Sequence, residues 1–248
     1  MCQRLNKNIN KINYLVEVLK SKMKKFSVIF VLLFPLVLFC QTSDSVKLKK
    51  INLGITFSPD YSFRTIKTEA SNQWIKDSYD TLEVAKFGYT TGLNLVFKFN
   101  KNFSLAIGFL VSDKGEKTKK WLTPIPPAIN YNSHYYYLDI PIKANYVLIN
   151  KKMKLYVSAG ISTNILESHK IVILDGINET KKTFINNTQL SKINFAMLAG
   201  FGIDCPITNK WYFKVEPIYR RSIGPIADAP LKKYLYSLGL NFGFYCQF

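Results

Sequence analysis

The sequence has little of what marks a helical membrane protein or a helical bundle. Its 248 residues have a mean hydropathy of 0.00, which is too low for a chain of transmembrane helices. It has no alanine-rich stretch, and no segment after Gln41 repeats its apolar residues with helical spacing. Aromatic residues, in contrast, make up 15% of the chain. The length allows one large or two small domains, and the composition favours β-structure.

Residues that carry redox, metal or hydrolytic chemistry are also scarce. The only histidines are His134 and His169, and no HExxH, CxxC or phosphate-loop motif occurs. Two histidines with scattered acidic residues do not make a dedicated metal site, so the sequence predicts no cofactor. Beyond residue 40 only Cys205 and Cys246 remain. A disulfide between them is permitted in an oxidising compartment, but two cysteines do not establish one.

The N-terminal segment has the pattern of an export signal. Residues 23–40 read MKKFSVIFVLLFPLVLFC, in which two lysines precede an apolar run that is too short to span a bilayer as a helix. Cleavage after Cys40 would leave residues 41–248 as the mature domain. Met23 is then the natural start, and residues 1–22 are a mis-assigned upstream extension. The alternative is a lipoprotein acylated on Cys40, although a phenylalanine stands where that signal normally has a small residue.

The charge is strongly unbalanced toward lysine and arginine. Of the net charge of +18, +6 lies in residues 1–40, where seven basic residues accompany Glu17, and +12 remains on the rest. Such an excess attracts nucleic acid, acidic lipid or anionic glycan. Nucleic-acid binding needs a clustered basic face or a known module, whereas these lysines are spread over the turns and loops of an exported chain. We therefore expect no nucleic-acid partner.

Apolar and small or polar residues alternate in eight segments, which predicts eight β-strands with one apolar face each. In the last of them, YSLGLNFGFYCQF, the alternation continues to Phe248. The connections between the segments alternate between long and short, with the long ones at 58–87, 112–134, 164–190 and 222–233. Tight turns at one end and long loops at the other are typical of an up-and-down barrel in an outer membrane. The predicted strands cover residues 51–57, 89–99, 103–111, 136–148, 155–163, 193–203, 211–219 and 236–248.

Alternation alone does not say which face points inward. A soluble lipocalin-like barrel that binds a small hydrophobic ligand alternates in the same way, and a β-sandwich is a further alternative. The polar face here is rich in Gly, Ser, Ala and Asn, which suit the narrow interior of eight strands, and its charges are of both signs. We therefore predict an all-β, eight-stranded antiparallel transmembrane barrel in the outer membrane, plugged by side chains. In its interior we expect Lys143, Lys214 and Arg220 to pair with Asp139, Asp204 and Glu216, because an unpaired enclosed charge is costly.

Aromatic residues near the strand ends fit the girdles of a membrane barrel, and they include the C-terminal Phe248. With the export signal, the strand YLDIPIKANYVL and the closing SLGLNFGFYCQF, the chain resembles the outer-membrane β-barrel family of Bacteroidetes often labelled PorT-like. The resemblance covers about residues 45–248. It implies an outer-membrane barrel that the barrel insertion machinery recognises by Phe248, with a role in envelope structure, adhesion or the assembly of a secretion system.

Catalysis is the remaining class to weigh, because some outer-membrane barrels are hydrolases. Glu167, Ser168 and His169 are adjacent, but neighbours along a strand point to opposite faces, so adjacency does not build a triad. We expect no enzyme. The segment 113–137 mixes lysines, prolines and aromatic residues, and Trp121, Tyr131 and His134 are its candidate contact residues. Its partner would be an envelope or secretion-system protein, or a glycan. The simpler interpretation is a rigid loop beside outer-membrane lipid and lipopolysaccharide.

Overall fold

The chain is described here from a computed structural model that covers residues 51–118, 130–175, 178–184, 190–227 and 231–248. The predicted signal peptide, Cys40 and Trp121 lie outside these residues. The described part contains ten strands and one α-helix with a short 3-10 turn before it. The elements are β1 (Ile51–Lys67), the 3-10 turn (Ala70–Asn72), α1 (Gln73–Leu82), β2 (Glu83–Lys98), β3 (Phe103–Lys114), β4 (Glu116–Thr118), β5 (Asn130–Asn150), β6 (Lys154–Asp175), β7 (Asn178–Phe184), β8 (Ile193–Pro206), β9 (Trp211–Ser222) and β10 (Lys232–Gln247).

Eight of the strands close into a ring. The antiparallel order is β1, β2, β3, β5, β6, β8, β9 and β10, and β10 pairs with β1 to complete the circle. The closing register places Asn52 opposite Gln247, and the N–H of Phe248 donates to the carbonyl of Ile51 at 2.9 Å. The prediction of an eight-stranded antiparallel barrel is therefore confirmed. The short strand β4 continues β3 within the ring, since it also pairs with β2 and β5, whereas β7 pairs only with β6 and lies beside the ring.

The polar face of the strands points into the barrel. On β1, Asn52, Ser58 and Asp60 are fully buried, whereas Ile55 and Phe57 are 61% and 51% exposed. A soluble barrel would show the reverse, because water would penalise an apolar outer wall. The outward face suits hydrocarbon, and closure removes the unpaired strand edges that lipid does not tolerate. The lipocalin-like alternative is therefore wrong. Among the described residues, no helix is both long enough and apolar enough to cross a bilayer.

Several strands are much longer than a membrane requires, so parts of the predicted outer loops 58–87, 112–134 and 164–190 are strand instead, whereas the predicted loop 222–233 agrees with the end of β9 and the start of β10. A tilted strand crosses the hydrocarbon in about 9–11 residues, but β5 has 21 residues and β6 has 22. The predicted loop 58–87 instead holds the rest of β1, the helix α1 and the start of β2. No helix was predicted there, because α1 has only ten residues and buries none of them. We call the end with these extensions the outer end, since outer-membrane barrels carry their long connections outside.

Candidate functional site in the lumen and at the outer end

The middle of the lumen is crossed by hydrogen bonds that converge on Glu216. Lys143 approaches this carboxylate at 2.6 Å, the hydroxyl of Ser158 donates to it at 2.6 Å, and the amide of Asn241 donates at 3.0 Å. These residues lie on β5, β6, β9 and β10, so the contacts join opposite walls of the barrel. Because both charges are enclosed, the pair is tolerable only with such full hydrogen bonding.

Arg220 extends this network toward the outer end. Its guanidinium donates to Asp60 at 2.8 Å and to the side-chain oxygen of Asn241 at 2.8 Å. Asp60 also accepts from Ser58 at 2.7 Å. A cavity of about 30 Å³ beside Lys143 and Arg220 leaves room on the scale of a single water molecule. Side chains therefore occupy nearly all the space at this level.

The structure brings the six predicted interior charges into the lumen but changes some of their partners. Lys143 pairs with Glu216, and Lys214 lies 3.3 Å from Asp204. Asp139 pairs with none of the three predicted cations, since its partner is Lys114 at 2.8 Å. Arg220 pairs with Asp60, as described above. Because side chains alternate between the two faces of a strand, counting every second residue identifies those that point inward. The stagger between neighbouring strands, which the count does not give, decides which charges lie at the same height.

Two apolar clusters lie above and below the charged network. At the inner end, Val96, Ala106, Tyr212 and Tyr245 pack together, and the rings of Tyr212 and Tyr245 stack at 5.0 Å between centroids. At the outer end, Ile226 folds into the barrel mouth from the segment between β9 and β10 and is 1% exposed. It packs in a cluster of buried residues with Tyr135, Tyr137, Leu166 and Leu235. The lumen thus carries an apolar layer at each end.

The helix α1 contacts the barrel through Arg64. This buried guanidinium binds Glu83 at the start of β2 and Asp80 on the helix. Burial opposes its charge, but the two carboxylates outweigh that effect and raise the pKa of Arg64. Tyr131 donates its hydroxyl to the same Glu83, and burial together with this carboxylate raises the pKa of Tyr131. Tyr131 therefore lies on β5 as part of the outer-end network, whereas the sequence had predicted it in the long loop 112–134.

His134 also lies on β5 rather than in a loop. Its Nδ1 is 2.8 Å from Asp113, which in turn accepts from Lys86 at 2.8 Å. The side chain of His134 is 20% exposed, so part of the ring remains accessible. Burial lowers the pKa of Lys86, although Asp113 acts in the opposite direction.

His169 was expected in an outer loop and instead lies on β6, inside the outer end. Its Nε2 is 2.8 Å from the hydroxyl of Ser133, and its ring stacks on Tyr135 at 4.5 Å between centroids. Burial lowers the pKa of His169 to about 4, with the charge of Lys233 adding to the effect. Ser133 and His169 are 3% and 6% exposed, so a substrate has no access to this pair. In the described ranges, no three Asp, Glu, His or Cys side chains group in a way that would hold a metal ion. Cys205 and Cys246 are not joined by a disulfide.

Sequence reasoning missed several residues of these networks, including Asp60, Arg64, Glu83, Asp113 and Lys114. Asp60 and Arg64 could have been found from the sequence, because they continue the series of every second residue of β1 that begins at Asn52 and points inward. The predicted strand ended at Phe57, which hid them. Asp113 and Lys114 lie at the end of β3, where successive residues are all buried. The alternation along the strand therefore does not predict that they belong to the interior.

Comparisons with known proteins give one matching family and several similar solved structures. The family of the outer membrane protein beta-barrel domain matches residues 39–228. The chain is similar to Neisserial surface protein A (12% identity, 80% of this chain and 97% of that chain, TM-score 0.45). It is also similar to the outer membrane protease OmpT from Escherichia coli (9% identity, 84% and 100%, TM-score 0.44) and to the outer membrane protein OprG from Pseudomonas aeruginosa (12% identity, 80% and 97%, TM-score 0.40). No curated protein sequence matches the chain. Since the family match covers most of its length, the chain belongs to the family of outer membrane protein β-barrel domains and lies in the outer membrane.

Proposed function

We propose that this protein is a closed scaffold barrel, and that its role is structural, adhesive or in the assembly of a secretion system rather than in transport. The observation that carries the proposal is the hydrogen-bonded network on Glu216, which joins opposite walls of the lumen and leaves a cavity of about 30 Å³. Eight strands enclose an interior that side chains can fill. A solute larger than water would have to break a buried ion pair to pass.

The outer end supports a role in contact with other molecules. The long strands β5 and β6 carry the sheet beyond the membrane, and β7 widens it on one side. A sheet held by backbone hydrogen bonds offers a partner a more rigid surface than a loop does. The resemblance to PorT-like barrels favours a protein of the envelope or of a secretion system as that partner. Outer-membrane lipid and lipopolysaccharide surround the same end. The proposal requires no cofactor and no catalysis.

The test is electrical conductance. The protein, extracted from outer membranes in a mild detergent, is incorporated into planar lipid bilayers under concentrated potassium chloride. We expect no steady conductance from the wild type. Replacing both members of the central pair, Lys143→Ala with Glu216→Ala, should raise the conductance, because it removes two long side chains that meet across the lumen.

The matched control removes the same two charges from the surface, as Lys151→Ala with Asp77→Ala. Both side chains are exposed, on the helix α1 and in the turn after β5, so this variant should behave as the wild type does. Insertion is verified independently by the resistance of each protein to unboiled SDS. A steady ionic conductance from the wild type would contradict a closed scaffold and indicate a pore.

A further inference from the structure

A patch of cations and aromatic rings lies on the outward face of β9, β10 and β1, just beyond the apolar band. One row across these strands joins Arg221, Tyr236 and Phe63 through their register. Four residues further along β1, Lys67 lies directly opposite Lys232. We call this surface the rim patch, and it consists of Phe63, Lys67, Arg221, Lys232, Tyr234 and Tyr236.

Lys67 and Arg221, the two cations that define the rim patch, form no ion pair within the described residues. Both side chains are exposed. The ammonium of Lys67 lies 5.2 Å from the centre of the Tyr234 ring. Glu69 follows nearby on the exposed turn before α1. Like charges directly opposite each other in a sheet are destabilising, so an anion beside Lys67 would reduce its repulsion with Lys232 across the sheet.

The height of the patch selects among anionic lipids. Tyr61 and Leu238 form the row below Arg221, and they are 48% and 59% exposed, as expected at the top of the apolar band. Lys67 lies four residues beyond Phe63, which is about 13 Å along the strand and roughly 10 Å in height for a tilted strand. The headgroup layer on each side of a bilayer is about 5–8 Å thick. A phospholipid phosphate reaches Arg221 but falls short of Lys67, whereas a larger phosphorylated sugar headgroup spans both.

We propose that the rim patch binds the phosphorylated headgroup of a glycolipid in the outer leaflet, with Arg221 and Lys67 contacting phosphate groups at two heights. The aromatic rings of Phe63, Tyr234 and Tyr236 line the boundary between headgroup and hydrocarbon, where amphipathic rings are favoured. Such binding would keep the side of the barrel formed by β9, β10 and β1 next to the glycolipid.

The experiment measures the affinity of the detergent-extracted protein for lipid A that carries two phosphates. Removing both cations in the variant Lys67→Gln with Arg221→Gln should weaken binding about 25-fold, since each basic residue near a charged lipid surface contributes about a fivefold effect. The control Lys151→Gln with Lys210→Gln removes two exposed cations from the short turns at the other end. It should bind as the wild type does.

Two further ligands separate the chemistry. Dephosphorylated lipid A should bind at least about 25-fold more weakly to the wild type, because it lacks the groups that the two cations contact. Phosphatidylglycerol should bind more weakly than lipid A, because its single phosphate does not reach Lys67. Unchanged binding by the Lys67→Gln, Arg221→Gln variant would overturn the proposal. The proposal would also be overturned if the wild type bound dephosphorylated lipid A or phosphatidylglycerol as tightly as it binds lipid A. This comparison does not depend on the folding of a variant.

Discussion

At the scale of single residues, burial makes His169 a pH-sensitive component of the outer end. Its pKa is about 4 in the folded protein, against about 6.5 in an unfolded chain. Between these values the unfolded chain binds a proton that the folded chain does not, so the free energy of unfolding falls as the pH falls through this window. The contribution of His169 to the free energy of unfolding is fully present above about pH 6.5. Its loss at low pH lowers that free energy by about 3 kcal/mol.

The variant His169→Gln should therefore lose less stability than the wild type between about pH 7 and pH 4. The measurement is urea unfolding of the protein in lipid vesicles at a series of pH values. Burial raises the pKa of Glu116, which makes its own contribution run in the opposite direction. Because Glu116 is present in both proteins, the difference between the two curves isolates His169. Parallel curves would show that the buried imidazole does not titrate as described.

For single residues, the sequence predicted which face of a strand a side chain occupies, but it did not predict which side chains meet across neighbouring strands. The alternation along β9 was enough to assign Lys214, Glu216 and Arg220 to one face, because side chains on a strand repeat every two residues. It gave no means to match Asp139 with Lys114, since that contact depends on the stagger between β3 and β5. The alternation also did not predict the contacts at the outer end, because a register shift between Tyr136 and Tyr137 interrupts it.

At the scale of elements, the sequence predicted the membrane-crossing part of each strand and the three short turns. Those segments alternate strictly because lipid lies on one side and a polar lumen on the other. The extensions of β5 and β6 were interpreted as loops, since strict alternation stops there: polar residues and tyrosines follow one another at the start of β5, and β6 ends on the continuous apolar run IVIL (171–174). The helix α1 was missed for a similar reason. With no buried residue it needs no continuous apolar face.

This weak attachment of α1 leads to a prediction. Replacing residues 70–82 with a Gly/Ser linker of equal length should lower the free energy of unfolding by less than about 2 kcal/mol. The lost contacts are a half-exposed ion pair between Arg64 and Asp80 and a cation–π contact between Lys233 and Tyr79. Arg64 keeps Glu83 as its buried partner. Unfolding in urea provides the measurement.

The segment between β9 and β10 provides the contrast. Ile226 is 1% exposed inside the outer apolar cluster, so Ile226→Ala should cost about 2–5 kcal/mol although it removes only part of one side chain. A larger loss from replacing the helix than from this single truncation would mean that α1, rather than the Ile226 segment, stabilises the barrel mouth.

At the scale of the whole molecule, the last residue has a structural role in closing the barrel and a proposed role as the signal for insertion. The backbone of Phe248 completes the pairing of β10 with β1, but its side chain is 68% exposed on the lipid face. Phe99, in the turn after β2 at the same end, is 62% exposed and equally apolar. Truncating either ring to alanine removes a similar exposed surface, so the two variants should have similar and nearly unchanged stability once folded.

The two variants should nevertheless differ in cells. If the insertion machinery recognises the terminal aromatic residue, Phe248→Ala should reduce the amount of protein in the outer membrane several-fold, while Phe99→Ala should not. Refolding of both purified variants into lipid vesicles, followed by their mobility in unboiled SDS, shows whether the barrel itself tolerates the change. A defect in cells without one in vesicles places the role of Phe248 in recognition. Equal defects of both variants in vesicles would place it in the aromatic girdle, and normal insertion of Phe248→Ala in cells would remove its role as a signal.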